Sequence, residues 1–88
     1  MIIEDVLIED RIKRKILSKH GVKASRIKDV FSGRPLIRKS KDDRYMAIGK
    51  SGNTFHTVIF DYRDKTAFVV TAYKSSEWQK NLYKNQRG

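Results

Sequence analysis

The chain has no cysteine, which excludes disulfide bonds, cysteine-ligated zinc and thiol catalysis together. Proline occurs once, and no linker, repeat or low-complexity tract interrupts the chain. No apolar run approaches the ~20 residues that a membrane-spanning helix needs. The N-terminus also lacks the basic start of a secretory signal, so a cytoplasmic protein with no membrane partner is expected. The two histidines, His20 and His56, are far apart and in no ligand-like spacing, so neither a metal site nor a cofactor is expected. Carboxylates are scarce: ten Asp and Glu face twenty Lys and Arg.

What is present suits one small folded domain spanning residues 1–88. Hydrophobic residues make up 39% of its 88 residues, enough apolar surface for a core but with little stability to spare. The formal charge is +10, and it is uneven. Glu4, Asp5, Glu9 and Asp10 face no base within the first ten residues, so the remainder carries +14. Such a cation attracts a polyanion, because each phosphate it neutralises releases a condensed counterion. Nucleic acid is the first expectation. An anionic membrane is disfavoured by the absence of a long basic helix with a wide, bulky apolar face, and an acidic protein is the remaining class of partner.

Ile8, Ile12 and Ile16 recur every four residues among Arg11, Lys13, Arg14 and Lys15. This pattern predicts an amphipathic helix from about Glu9 to Lys19, closed by Gly21. Ser25 is a fair N-cap for a second helix in which Ile27, Val30 and Phe31 share a face, ended by Gly33 and Pro35. Four stretches follow that are rich in β-branched and aromatic residues: Leu36–Lys39, Arg44–Lys50, Thr54–Tyr62 and Thr66–Tyr73. The short, turn-forming gaps between them predict hairpins. Ser75 or Ser76 then caps a last helix that carries Trp78, Leu82 and Tyr83 to the sheet. The expected fold is α+β, in the order α-α-β-β-β-β-α, with a four-stranded antiparallel meander sheet packed with helices. In the third strand both faces are largely apolar, so helices cover one and the last helix or a partner covers part of the other.

Several short motifs stand in a telling order. Lys19-His20-Gly21-Val22 follows the basic helix, then come Val30-Phe31 and Pro35, Arg44-Tyr45 with Ile48-Gly49, Val70-Thr71-Ala72 and finally Tyr83. From about Ile8 to Tyr83 the chain resembles the BrnT family of toxins, which is similar in fold to the RelE ribonucleases. The resemblance implies the toxin of a type II toxin–antitoxin pair. Its activity would be metal-independent cleavage of RNA, ribosome-associated mRNA included, neutralised by a cognate antitoxin. Two positions depart from the family pattern. Thr71-Ala72-Tyr73 stands where Ser or Thr, Ala, Arg is usual, and Gln79-Lys80 stands where Glu-Arg is usual. Lys74 offers a replacement for the charge lost at Tyr73.

Cutting RNA without a metal needs a base for the 2′-hydroxyl, cations for the phosphorane charge and an acid for the leaving oxygen. Arg44, beside Tyr45 at the start of a strand, is the candidate for holding the phosphate, since a guanidinium binds two oxygens at once; a solubilising edge-strand charge is the alternative. Tyr73 and Lys74 sit where a strand hands over to a helix, and Tyr83 joins them as a candidate catalytic residue. His20 is either a proton carrier or an imidazolium favoured by the C-terminal end of its helix, whereas His56 is expected to pack beside Val58 and Phe60. Arg11, Arg14, Lys15 and Lys19 form the expected RNA-docking face, with Lys50 and Lys80 in the same set. Trp78 and Tyr83 are candidates for base stacking, with core packing the safer role for Trp78. The competing class is a non-catalytic nucleic-acid-binding module, or a degenerate toxin.

Overall fold

The computed structural model describes residues 1–87, with elements β1 (Asp5–Leu7), α1 (Asp10–His20), α2 (Ala24–Ser32), β2 (Leu36–Lys39), β3 (Tyr45–Ser51), β4 (Thr54–Arg63), β5 (Thr66–Lys74) and α3 (Glu77–Arg87). They form one five-stranded sheet in the order β1-β5-β4-β3-β2. The pairs β2–β3, β3–β4 and β4–β5 are antiparallel, as the short connections require.

The expected four-stranded, all-antiparallel sheet is therefore corrected by β1, which pairs parallel with β5 through Asp5–Thr66, Val6–Ala67 and Leu7–Phe68. The element order is β-α-α-β-β-β-β-α. The acidic N-terminal residues thus belong to the domain. The Glu4 amide donates to the Lys65 carbonyl at 2.7 Å, the Tyr62 hydroxyl donates to the Ile2 carbonyl, and Ile3, Val6 and Ile8 pack against the core.

Local chemistry explains the element ends. Gly21 adopts φ 67° and its amide bonds the Leu17 carbonyl at 2.9 Å, closing α1 in the left-handed conformation. Lys23, not Ser25, occupies the N-cap of α2. At the β4–β5 turn Asp64 and Lys65 both take positive φ, 49° and 62°, the two-residue pattern that matches strand twist.

Alternation along the strands sorts residues to two faces. One face lies under α1 and α2, where Ile16, Val22, Ile27 and Val30 meet Ala47, Val58, Phe60, Ala67, Val69 and Ala72. The alanines let the helices approach closely, and Gly49 extends that contact. A Cβ on Gly49 would stand 3.2 Å from Val30 Cγ1. The other face is partly covered by α3. There Tyr83 packs edge-on to Phe55 with ring centroids 5.3 Å apart, and Gln79 is buried. Trp78, expected to pack on the sheet, is instead 59% exposed; the inward stripe of α3 runs through Gln79, Leu82 and Tyr83.

Candidate active site

Tyr73 stands near the end of β5, level with Thr57 of β4. At that height β1 no longer flanks β5, so this edge of the sheet is open beside the C-terminal end of α1. The Tyr73 ring lies 6.0 Å from the imidazole of His20, centroid to centroid, tilted by 53°. Lys15, Lys19, His20, Thr71 and Tyr73 line an open groove of about 370 Å³ there, floored by Ile16 and Val70. On its other side Tyr73 borders a second depression of about 510 Å³, with Lys39, Lys41, Trp78 and Gln79 in its walls.

A buried polar network holds the Tyr73 hydroxyl. Gln79 Oε1 accepts from the Ser76 backbone amide at 2.9 Å and from Thr57 Oγ1 at 3.0 Å. Thr57 Oγ1 also bonds Ser75 Oγ at 2.7 Å. The bond to the Ser76 amide is half of a capping box, in which the third residue of α3 reaches back to the residue before the helix. It also fixes the side-chain amide: a backbone N–H can only donate, so the oxygen must face it and Nε2 must face Tyr73. Nε2 donates to the Tyr73 hydroxyl oxygen at 3.1 Å. The hydroxyl therefore accepts from Gln79 and keeps its own proton to donate elsewhere.

The structure thus brings Tyr73, His20, Lys15 and Lys19 together. Arg11, one α1 turn before Lys15, and Arg14 are exposed along the same helix and extend the cationic stripe away from the groove. Lys74 follows Tyr73 and lines a neighbouring recess with Lys80, while Lys50 lies over the Phe55 ring at 5.1 Å. Tyr83 is engaged with Phe55 away from the groove. Arg44 is elsewhere. Its Nε donates to Asp61 Oδ1 at 3.3 Å, and four register steps and two strand widths separate it from Tyr73, or roughly 16 Å at ordinary sheet spacings.

His56 is 4% exposed, on the face that carries Val58 and Phe60. Burial holds its pKa below 6.5; the Thr54 backbone and Asp29 oppose the shift, while Arg26 and Lys74 add to it. Its Nδ1 has no hydrogen-bond partner among the described residues. Residue types alone did not single out Gln79, Thr57 and Ser75 as parts of the site. The available signal was the Ser76-x-x-Gln79 spacing, which marks a capping box. Among the described residues no group of three or more His, Cys, Asp or Glu side chains forms a possible metal site, and no helix is long and apolar enough to cross a membrane.

No family model and no curated protein matches this chain. Among solved structures it is similar to the ribonuclease toxin BrnT of Brucella abortus, with a TM-score of 0.67 and 22% sequence identity, over 83% of this chain and 97% of that one. The match extends over nearly all of the toxin, so the likeness is one of complete folds and not of a shared hairpin. The fold of this chain is that of a BrnT-like toxin.

Proposed function

We propose that the chain is a metal-independent endoribonuclease, the toxin of a type II toxin–antitoxin pair, and that its reaction centre is the groove between α1 and β5. The observation that carries this reading is Tyr73, whose hydroxyl accepts from Gln79 and so keeps its proton for donation, and whose ring stands beside His20 in a groove lined by two lysines. The fold of a ribonuclease toxin supports it.

In this reaction the RNA supplies its own nucleophile. His20 takes the 2′-hydroxyl proton, and the 2′-oxygen attacks phosphorus. Lys15 and Lys19 hold the charge that develops on the phosphorane, and Tyr73 gives its proton to the departing 5′-oxygen. The products are a 2′,3′-cyclic phosphate and a 5′-hydroxyl. On the far side of Tyr73 the exposed Trp78 ring offers a base-stacking platform in a depression also lined by Lys39 and Lys41. A cognate antitoxin inhibits by covering the groove, where an acidic segment would meet the α1 lysines.

The test is cleavage of single-stranded RNA by the purified protein in the presence of a chelator. Wild type yields the cyclic end, and Tyr73→Phe slows cleavage by about 10²–10⁴-fold, the usual contribution of a positioned acid. Arg44→Ala, altering a cation distant from the groove, costs much less. Intact RNA and normal growth on induction of the wild type would sink the nuclease reading. A second reading, an RNA-binding module without catalysis, is favoured by one observation: Arg44, just before β3, is paired with Asp61 away from Tyr73. It predicts salt-sensitive RNA binding with no product.

A further inference from the structure

At the end of the sheet remote from the Asp64–Lys65 turn lies a polar pocket of about 440 Å³, walled by Lys23, Arg26, Asn53, Thr54, His56 and Lys74. It has no part in the chemistry above, yet every charge that lines it among the described residues is positive. The nearby carboxylate, Asp29, does not line the pocket and accepts from Ser51 Oγ at 2.6 Å. Arg26 gives one N–H to the same Ser51 Oγ, at 3.2 Å, and a guanidinium has four more to offer.

Two further features point to an anion. The helix α2 starts beside the pocket with Lys23 at its N-cap, with no side-chain cap and no acidic residue in its first turn. The positive end of its dipole is therefore unopposed within the helix. His56, buried in the pocket wall, keeps Nδ1 without a hydrogen-bond partner, and buried polar atoms ordinarily have one. Three cations, a helix N-terminus and a buried imidazole with one unpartnered nitrogen meet at a space large enough for a phosphate group.

We propose that this pocket is a phosphate subsite that holds the backbone of a single-stranded RNA beside the reaction groove. Its place supports that ligand: Gly21 and Lys74, in the pocket wall, directly follow His20 and Tyr73, in the groove wall. A strand laid across Tyr73 runs into the pocket at its next phosphates. The identity of the ligand rests on the ribonuclease reading, whereas the affinity for phosphate does not.

The experiment follows the histidine ring resonances of the full ¹⁵N-labelled chain during titration with inorganic phosphate, then measures the salt dependence of single-stranded RNA binding. Two charge-removing variants are compared: Lys23→Gln in the pocket wall, and Lys28→Gln, an exposed α2 cation outside it. The expected result is a saturable shift of His56, weakened several-fold by Lys23→Gln and unaltered by Lys28→Gln. The slope of log affinity against log salt should also fall by about 0.7 in Lys23→Gln alone, as when a protein neutralises one phosphate fewer along a single strand. An unmoved His56, or equal effects of the two variants, overturns the subsite. Phosphate binding with an unchanged RNA slope overturns its assignment to RNA. Failure of the ribonuclease reading is separate, since it appears as uncut RNA with wild type while both binding readouts persist.

Discussion

The two faces of the sheet are built on opposite principles. Under α1 and α2, Phe60 is fully buried, stacked near Tyr45 at 5.9 Å and edge-on to Phe31 at 5.3 Å, and the other fully buried core residues of that face are aliphatic. Under α3, the central contact is polar: Thr57, Ser75, Gln79 and Tyr73 share hydrogen bonds in sequence. Beyond α3 this second face is half-exposed, with Ile59 and Thr71 flanked by Arg38 and Arg44. Strand alternation assigns the tasks, since neighbouring residues of β4 point to opposite faces. The aliphatic face stabilises the domain through burial, and the polar face spends burial on fixing the direction of one hydroxyl.

The largest effect that tests this contrast comes from adjacent residues. Phe60→Ala should cost about 3–5 kcal/mol in urea unfolding, because a cavity remains between α2 and the sheet. Ile59→Ala, one residue away but half-exposed on the other face, should cost less than half of that. Equal losses would break the comparison.

A smaller effect is expected within the polar network. Thr57→Val keeps the shape of the side chain but removes the donor to Gln79 and the partner of Ser75, at a cost of about 1–3 kcal/mol for buried groups left unpaired. The variant should stay folded at room temperature and cut RNA more slowly, because Gln79, held by the Ser76 amide alone, sets Tyr73 less firmly. A Thr57→Val protein with full activity would show that Tyr73 needs no such support.

These faces were unequally legible in the sequence. Helix α1, its glycine stop and the four long strands stand out because the spacing of their apolar residues is local. The strand β1 does not, because its three residues lie among carboxylates and become a strand only by pairing with β5, some sixty positions later. Trp78 and Gln79 invert the usual rule of apolar inside. The spacing of α3 allows either to face inward, and what selects Gln79 is a set of partners, Thr57, Ser76 and Tyr73, contributed by other segments. Arg44 was readable as a cation at a strand start, but its pairing with Asp61 depends on register. His20 and Tyr73 meet because a strand ends beside a helix terminus, which no spacing of single residues expresses.

Two buried polar residues interrupt the aliphatic face, Ser51 and His56, and the titratable one, His56, gives the smallest and most specific effect. Burial depresses its pKa in the folded protein, while the unfolded chain titrates near 6.5. Between those two values the unfolded state binds a proton that the native state refuses. The stability that His56 contributes is therefore fully present above about pH 6.5 and is lost as pH falls toward the native pKa. Thermal unfolding in phosphate-free buffer should show wild type losing more between pH 7.5 and 5.5 than His56→Gln, whose side chain cannot titrate. The ring resonances of wild-type His56 report the same linkage directly, with a native midpoint below that of a free histidine. A midpoint at or above 6.5 would mean that the pocket cations and burial do not govern this residue.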